Sequence, residues 1–419
     1  MTPLRAAIAW TLLGNTIYAA CQWAMLVVVA KLASAESVGS FALAFAVTAP
    51  VMMLSNLQLR AVQATDARDQ FAFGHYLALR IVTIAGAMLA CVSIGWFSVS
   101  APIVSVVLLI AAAKAVESMS DILYGLMQRR QEMRSIAVSM IAKGILSVAA
   151  LGTVLYATAS LPLACLALAG AWALVLGLYD LRVVRSLLTS SRTALRPIWS
   201  WPALRSLAAV ALPLGLVMGV LSLQANVPRY LIGASLTVAD VGAFSAMASL
   251  GLVGATVCNA LGQVASPRLA NDYADGNQRP FLLTVGKLLV AALAAGVAGI
   301  VVAATWGSWL LAALFRAEYG RLQEVFVILM FSAGLSYLAS VLGYALTAAR
   351  RFYCQLPIFA IALAITVAVC AWLIPLMGLR GAAIGTVAGS LTQMLAAGWA
   401  LYSTAGIGVG MRRLQWIAP

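Results

Sequence analysis

The chain has 419 residues, of which 63% are hydrophobic and only 9% are charged, and its mean hydropathy is +1.01. This composition excludes an ordinary water-soluble domain and indicates a polytopic membrane protein. The formal net charge is +14, but the basic residues occur in short clusters between apolar segments. Such spacing is typical of membrane topology and argues against a nucleic-acid partner.

Twelve apolar segments are long enough to span a bilayer, because about 20 helical residues cross the hydrocarbon core. The predicted spans are residues 6–30, 38–59, 79–98, 102–127, 135–157, 161–182, 207–232, 239–263, 283–305, 321–347, 354–376 and 380–403. The first segment is too long for the apolar part of a signal peptide, so we expect it to remain as a membrane helix. The predicted fold class is an all-α membrane protein.

Basic residues concentrate in alternate loops. They are Arg5, Arg60, Arg68, Arg80, Arg129, Arg130, Arg134, Arg182, Arg185, Arg192, Arg196, Arg205, Arg268, Arg279, Lys287, Arg350, Arg351, Arg412 and Arg413. Only four, Lys31, Arg316, Arg321 and Arg380, belong to the opposite loops. The positive-inside rule therefore predicts that both termini are cytoplasmic.

The longest connection, residues 183–206, divides the chain into an N-terminal six-helix lobe, residues 1–182, and a C-terminal six-helix lobe, residues 207–419. A short repeat supports this division, since Val38-Gly39-Ser40-Phe41 resembles Val241-Gly242-Ala243-Phe244. Because six spans separate the copies, we expect a pseudo-two-fold axis along the membrane normal.

The connection itself contains the run PIWSWPALRS, residues 197–206. Trp199 and Trp201 lie near Arg205 there, and tryptophan beside a basic residue is typical of segments at the membrane surface. The run is therefore either an interfacial elbow on the inner leaflet or a plain structural linker.

Span four carries Lys114, Glu117 and Asp121, whose spacing of i, i+3 and i+7 places them on one helix face. An ionisable group at mid-membrane costs at least about 2.5 kcal/mol and usually faces a bundle interior or a watery cavity. The stripe therefore predicts either a polar passage or a salt bridge of Lys114 that only fixes helix packing. In the second case one acid needs another partner, and Lys143 in span five is the predicted one.

Neutral polar side chains share one face of span one and gather at the end of span seven. They are Asn15, Tyr18 and Gln22 in the first, and Gln224, Asn226 and Tyr230 beside Pro228 and Arg229 in the second. The neutral groups either line a cavity or form hydrogen bonds between helices. Pro228 predicts a kink, and Arg229 either faces the cavity or extends to the interface.

The segment after span two predicts an inner mouth formed by Gln58, Arg60, Asp66 and Arg80. Cations combined with amide groups suit an anionic, hydroxylated ligand. The alternative is that these groups are only solvated loop charges.

Catalytic patterns are absent from the sequence. It contains no GxxxxGK[ST] phosphate loop and no acidic cluster suited to a divalent metal, so we expect no enzyme activity and no cofactor. The six cysteines are dispersed, and His75 is the only histidine, so no metal site is predicted.

Four runs of residues carry a family resemblance. They are Asn56-Leu57-Gln58-Leu59-Arg60-Ala61-Val62-Gln63-Ala64-Thr65-Asp66, Asp121-Ile122-Leu123-Tyr124-Gly125-Leu126-Met127-Gln128, Pro228-Arg229-Tyr230-Leu231-Ile232 and Ser266-Pro267-Arg268-Leu269-Ala270. The chain resembles bacterial polysaccharide flippases, the Wzx-type branch of the multidrug/oligosaccharidyl-lipid/polysaccharide exporter (MOP) superfamily.

The resemblance implies a twelve-helix, MATE-like fold in the bacterial cytoplasmic (inner) membrane. It also implies that the protein moves an oligosaccharide on an undecaprenyl-pyrophosphate carrier from the inner to the outer leaflet. The product could then be O-antigen of lipopolysaccharide, capsule or exopolysaccharide. Besides this lipid-linked oligosaccharide and the bilayer, a polysaccharide polymerase complex is a candidate partner.

Carried onto this sequence, the resemblance points to Arg60, Lys114, Asp121 and Arg229. Under this hypothesis Arg60, Lys114, Lys143 and Arg229 hold the pyrophosphate. The sugar is expected to contact Asn15, Tyr18, Gln22, Gln224, Asn226 and Tyr230. Glu117 or Asp121 could instead couple transport to a proton or Na⁺.

Two other functions remain open from the sequence. One is a cation-coupled exporter of drugs or metabolites with the same fold, although such exporters typically have an acidic residue in the first helix and residues 6–30 contain none. The other is a scaffold without transport activity in a glycan assembly complex.

Overall fold

The computed structural model describes residues 3–66, 70–98, 101–189, 195–351 and 354–406, and within these ranges the regular structure is helical. Four residues of the predicted basic loops, Arg68, Arg192, Arg412 and Arg413, lie outside the described residues.

The helices coincide closely with the predicted spans. They are α1 (Pro3–Leu32), α2 (Ala35–Asn56), α3 (Leu59–Thr65), α4 (Phe73–Ser98), α5 (Ala101–Arg129), α6 (Met133–Thr158), α7 (Leu161–Val175), α8 (Leu181–Thr189), α9 (Trp201–Ser235), α10 (Val238–Ala274), α11 (Gln278–Leu314), α12 (Gln323–Ala348), α13 (Gln355–Met377) and α14 (Leu379–Gly406). A π-helical segment, Leu176–Asp180, joins α7 to α8, and a 3-10 turn, Ala317–Leu322, precedes α12.

In the described ranges, eleven helical stretches are long and apolar enough to cross a membrane. Helix α14 has 28 residues and therefore also has the length of a span. The predicted all-α membrane fold is confirmed. The predicted symmetry axis and the cytoplasmic position of the termini stay predictions.

Local backbone signals set several helix boundaries. Ser34 caps α2, because its side-chain oxygen accepts a hydrogen bond from the amide of Ser37 at 3.2 Å. Leu57 and Gln58 both have φ of 50°, the left-handed conformation, and separate α2 from α3. This break turns the chain so that α3 lies against α5.

The chain contacts divide the protein into two compact units, Met1–Ala246 and Met247–Pro419. The predicted lobes, residues 1–182 and 207–419, and the linker at residues 183–206 stay predictions. At the end of that linker Trp199 and Trp201 are exposed.

Helix α5 is central to the first unit, where it packs against α2, α3, α4 and α7. Helix α1 packs against α6, and α2 also packs against α9. In the second unit α12 lies against α11 and α14, and α14 also packs against α13. The charged stripe predicted on span four therefore belongs to the helix with the most neighbours in its unit.

The two glycines of the short repeat meet inside the first unit. A Cβ on Gly242 would lie 2.7 Å from the backbone nitrogen of Gly39. A Cβ on Gly39 would overlap the carbonyl group of Val238, at 2.5 Å from its carbon. Both distances are far below van der Waals contact, so the beginnings of α2 and α10 approach each other this closely only because both residues lack a side chain.

We expect Gly39→Ala to destabilise the protein by about 1–3 kcal/mol, the usual cost of overpacking. Alanine is intrinsically the better helix former by about 1 kcal/mol, so Gly86→Ala in α4, where a Cβ meets nothing within 4 Å, is the matched control. Thermal unfolding in detergent should show a lower midpoint for the first variant and an equal or higher one for the second. Equal midpoints would contradict the close approach.

Candidate functional site

The candidate site begins with an ion pair on α5. Lys114 Nζ lies 2.7 Å from Glu117 Oε2, and the two side chains are 20% and 29% exposed. The hydroxyl of Tyr18 on α1 donates a hydrogen bond to the other carboxylate oxygen of Glu117. The predicted local salt bridge is therefore confirmed, but the pair is not sealed from its surroundings.

The ammonium of Lys114 also lies over two aromatic rings. Its Nζ is 5.4 Å from the ring centroid of Phe45 on α2 and 5.4 Å from that of Trp172 on α7. Aromatic faces attract a cation with about 0.5–2 kcal/mol. Lys114 is consequently held between three helices while part of its surface stays accessible.

Asp121 pairs with two arginines. Its Oδ2 is 3.2 Å from Arg80 Nη2 on α4, and its Oδ1 is 3.6 Å from Arg60 Nη1 on α3. The prediction that Lys143 provides the partner of the remaining acid is wrong. The break at Leu57 and Gln58 brings α3 with Arg60 against α5, and α4 with Arg80 also packs against α5. Asp121 is therefore paired with arginines of α3 and α4, and Lys143 on α6 pairs with Asp180.

Amide and hydroxyl groups hold the two arginines in place. Arg80 is fully buried and donates through Nη1 to Asn56 Oδ1 at 2.5 Å, and Ser118 donates to the same oxygen at 2.8 Å. Arg60 donates through Nε to Gln128 Oε1 at 3.0 Å. Because Arg60 and Asp121 are still 31% and 28% exposed, their remaining surface can meet a ligand.

Helix α3 can lie this close because residue 125 of α5 is glycine. A Cβ on Gly125 would collide with the side-chain amide of Gln63 and would lie 3.3 Å from Cα of Arg60. The glycine therefore determines how near Arg60 comes to the charged face of α5.

A second ion pair is sealed inside the first unit. Lys143 Nζ on α6 lies 2.7 Å from Asp180 Oδ2, with exposures of 2% and 0%. Lys143 also donates to the hydroxyl of Tyr124 at 2.9 Å, and Ser139 donates to Asp180 Oδ1 at 2.5 Å. The hydroxyls of Tyr124 and Ser139 are 2.6 Å apart. Two of the three N–H donors of Lys143 are thus used within the protein, and the side chain is buried, so Lys143 is poorly placed to bind a further ligand.

Asp180 and Ser139 belong to the sealed network and were not predicted from the sequence. Asp180 ends the π-helical segment Leu176–Asp180, and the extra residue of a π-turn rotates the following side chains relative to an α-helix. The available signal for Asp180 was that an acidic residue lies inside predicted span six. Asp180 is only two residues before Arg182, so the sequence is equally consistent with a charge at the end of the span.

Arg229 on α9 belongs to neither of these ion-pair networks. It donates through Nε to Ser245 Oγ at 2.9 Å and through Nη1 to Asn226 Oδ1 at 2.6 Å. Among the described residues no carboxylate lies within ion-pair distance of it. The neighbouring Tyr230 donates its hydroxyl to the backbone carbonyl of Ala46 on α2.

The other predicted residues are more scattered. Asn15 is exposed, whereas Gln22, Gln224 and Gln58 are half-buried. Asp66 accepts hydrogen bonds from the amides of Gln70 and Phe71 at 3.0 and 3.1 Å. Burial opposes its ionisation, but these bonds and the hydroxyl of Tyr76 together hold the pKa of Asp66 below its usual value. Asp66 therefore orders the chain locally.

The structure thus brings six of the predicted residues into one cluster, which we call the α5 cluster. Its members are Tyr18, Arg60, Arg80, Lys114, Glu117 and Asp121. Three cations face two carboxylates in it, so the cluster has an excess of one positive charge. Such an excess in a low-dielectric surrounding favours an anion. The described residues contain no group of three or more His, Cys, Asp and Glu placed to hold a metal ion.

Three known proteins are similar to this chain over most of its length. The capsular polysaccharide biosynthesis protein CapF of Staphylococcus aureus is 24% identical over 378 residues, which cover 88% of this chain and 92% of CapF. An inward-facing multidrug resistance MATE family transporter of the MOP superfamily has a TM-score of 0.75, with 13% identity and 94% of each chain covered. A variant of the Vibrio cholerae MATE transporter VcmN has a TM-score of 0.65, with 15% identity and 96% of each chain covered.

No family model matches the chain. The structural likenesses show that the chain has the MATE fold. The MATE-like fold that the sequence resemblance implies is therefore confirmed.

The sealed pair gives a prediction about stability. Removing one partner of a buried ion pair leaves an uncompensated charge and costs about 3–5 kcal/mol, whereas replacing both partners by apolar residues is often neutral. We expect Lys143→Met and Asp180→Leu to lower the unfolding midpoint strongly when made singly, and the double variant to recover most of the loss. Thermal unfolding of the purified protein in detergent measures this. Additive losses in the double variant would show that the two side chains are not coupled.

Proposed function

We propose that the chain is a flippase that moves undecaprenyl-pyrophosphate-linked oligosaccharide units from the inner to the outer leaflet of the bacterial cytoplasmic membrane. The observation that carries the proposal is the partly exposed α5 cluster with its excess of positive charge. The MATE fold supports a transporter, and the name of CapF supports a polysaccharide as the transported material. Under this proposal both termini are cytoplasmic.

The cations of the α5 cluster have donors left for a phosphate group. A lysine ammonium has three N–H donors, and Lys114 uses one of them on Glu117. An arginine guanidinium has five, and Arg60 directs Nε to Gln128 while its Nη1 lies at a longer 3.6 Å from Asp121. Charge-assisted bonds of these groups to phosphate oxygens are about twice as strong as neutral hydrogen bonds. Lys114 and Arg60 are therefore the primary pyrophosphate ligands in this proposal.

Arg229 is the third proposed pyrophosphate ligand. It donates hydrogen bonds to a hydroxyl, an amide oxygen and the backbone carbonyl of Ala225. An intramembrane arginine whose charge is not balanced by a carboxylate stabilises an anionic ligand. Lys143 and Tyr230 act differently, because both are bonded within the protein, so we assign them positioning roles.

The sugar part of the substrate needs a hydrogen-bonding route. A hydroxyl without a partner costs roughly 2 kcal/mol or more to transfer from water to hydrocarbon. Tyr18 donates to Glu117, and a phenolic oxygen that donates its proton still has lone pairs that can accept a bond from a sugar hydroxyl. We assign Asn15, Gln22 and Gln224 to the same task, while the prenyl chain stays in lipid. Asn226 donates to Ser222 and accepts from Arg229, so we assign it a positioning role.

Transport without an ATP-binding motif requires another source of free energy. A membrane potential that is negative inside drives an anion outward with about 2.3 kcal/mol per charge per 100 mV. Removal of the flipped unit by a polysaccharide polymerase complex also drives the process. Ion coupling through Glu117 or Asp121 adds to this in our proposal, since both carboxylates are partly exposed.

Neutralising Lys114 is expected to reduce flipping roughly tenfold to a hundredfold, the loss that corresponds to about 1.5–3 kcal/mol for a hydrogen bond to a charged group. Appearance of surface polysaccharide in a flippase-deficient strain measures this, together with the amount of protein in the membrane. Arg321→Gln, in an exposed position outside the cluster, is the control and should remain fully active. Full surface polysaccharide with Lys114→Gln would refute the cationic site.

A double variant separates substrate binding from mere charge balance. Lys114→Gln leaves Glu117 without its cation, so the single variant alone could fail for structural reasons. The neutral pair Lys114→Gln/Glu117→Gln removes that imbalance. If Lys114 binds the pyrophosphate, the double variant stays inactive although its unfolding midpoint recovers, whereas recovered transport would show that Lys114 only balances Glu117.

Gradient dependence of transport tests the coupling role. In proteoliposomes the wild type should flip a lipid-linked oligosaccharide faster when a proton or Na⁺ gradient is applied. We expect Glu117→Gln to lose this acceleration and to keep its gradient-free rate, because only the titrating or ion-binding group is removed. Glu318→Gln, in an exposed turn, is the control and should behave as the wild type. A wild-type rate that no gradient alters would refute coupling through either carboxylate.

A further inference from the structure

An apolar crevice opens on the surface of the second unit. It lies between α11, α12 and α14 and has a volume of about 480 Å³. Its walls include Val290 and Leu293 on α11, Leu342 on α12, and Leu395 and Trp399 on α14. Val290, Leu293, Leu395 and Trp399 are all more than half exposed. The crevice is therefore a recess in a surface that faces hydrocarbon, and its size is within the usual range for small-molecule sites, about 300–1,000 Å³.

The recess exists partly because a glycine on α14 leaves space that a side chain would fill. Gly398 on α14 also lines the crevice, and a Cβ built on it meets only Leu342 Cδ1, at 3.8 Å. Any larger side chain at this position would extend beyond that contact into the recess. Closely packed helices normally leave no such gap, because atoms without neighbours lose dispersion contacts. A bound hydrocarbon chain would restore those contacts.

The recess has a polar end. Lys287 precedes Val290 by three residues and lies on the same face of α11, one turn nearer to the beginning of that helix. It is exposed, and among the described residues no carboxylate forms an ion pair with it. Side chains on a helix lean toward its N-terminus. The ammonium of Lys287 therefore extends away from the apolar walls, toward the level where lipid headgroups lie.

Aromatic side chains mark the same end on α14. Tyr402 follows Trp399 by three residues and is 77% exposed. Since α12, α13 and α14 each reverse direction after a short connection, the end of α14 lies at the level where α11 begins. Tryptophan and tyrosine are typical of the membrane interface, where an apolar ring meets a polar headgroup region. Lys287 and Tyr402 thus each lie about one helical turn beyond a residue that lines the apolar groove, on the interfacial side of it.

We propose that this crevice binds an anionic glycerophospholipid. One acyl chain lies along the groove beside Gly398, and the phosphate contacts Lys287 and the hydroxyl of Tyr402. An anionic headgroup is favoured over a zwitterionic one, because Lys287 would repel the cationic amine of a zwitterionic headgroup. This site is independent of the proposed transport function, since all its residues belong to the second unit and none to the α5 cluster.

Native mass spectrometry of the full chain in detergent tests the site, with phosphatidylglycerol and phosphatidylcholine of identical acyl chains as probes. The wild type should retain phosphatidylglycerol preferentially. Lys287→Gln should reduce that preference roughly fivefold, the factor that one basic residue contributes at an anionic lipid surface. Gly398→Leu should reduce retention of both lipids, because leucine occupies the groove.

Two matched variants serve as controls. Arg279→Gln removes an exposed charge two turns away on the same helix, and Gly170→Leu adds a side chain at an exposed position in α7 where a Cβ meets nothing within 4 Å. Both should retain lipid as the wild type does. Size-exclusion chromatography and the unfolding midpoint show whether each variant is folded, and Gly398→Ala, whose Cβ makes only an ordinary contact, provides a milder change if leucine prevents folding.

Three results would overturn the proposal. The first is equal retention of the two lipids by the wild type. The second is a preference that neither Lys287→Gln nor Gly398→Leu alters. The third is retention of a polyprenyl phosphate in place of phosphatidylglycerol, which would assign the groove to a prenyl chain.

Discussion

A charged side chain in hydrocarbon is so costly that it is retained only where other polar groups surround it. In the first unit this constraint is met by concentrating the charges on α5 and its neighbours. Lys114 is balanced by Glu117 on its own helix, and Asp121 is balanced by arginines from α3 and α4. The packing of the four helices α1, α3, α4 and α5 is thereby tied to a single polar face. The net charge of that face depends on how many cations lie on it.

The charges fall into two groups with different consequences. Lys143 and Asp180 are sealed and satisfied by Tyr124 and Ser139. The ring of Tyr124 in turn lies 5.5 Å from the guanidinium of Arg60. The sealed pair of Lys143 and Asp180 therefore holds the ring of Tyr124 in place, and the partly exposed guanidinium of Arg60 lies over that ring. The buried network thus supports the cluster to which we assign ligand binding.

The two units differ in how they use polar groups. The first unit holds the intramembrane cations Lys114, Lys143 and Arg229. The described helices of the second unit instead present broad apolar faces. Lys287 lies nine residues after the beginning of α11. The proposed site for the transported substrate is thus built from the first unit, whereas the proposed lipid site belongs to the second.

The sequence by itself determined the helices and one ion pair. Hydropathy and helix length depend on consecutive residues, so the spans agree with the structure within a few residues at most ends, and Lys114 pairs with Glu117 because three residues along one helix suffice to bring them together. Only the tertiary structure decided the partners of Asp121 and Lys143. Those pairings depend on the left-handed turn at Leu57 and Gln58 and on the π-helical segment before α8, which rotate side chains by amounts that no residue pattern specifies. Helix packing likewise decides which cations stay accessible, because the exposure of a side chain depends on neighbours that are distant in the sequence.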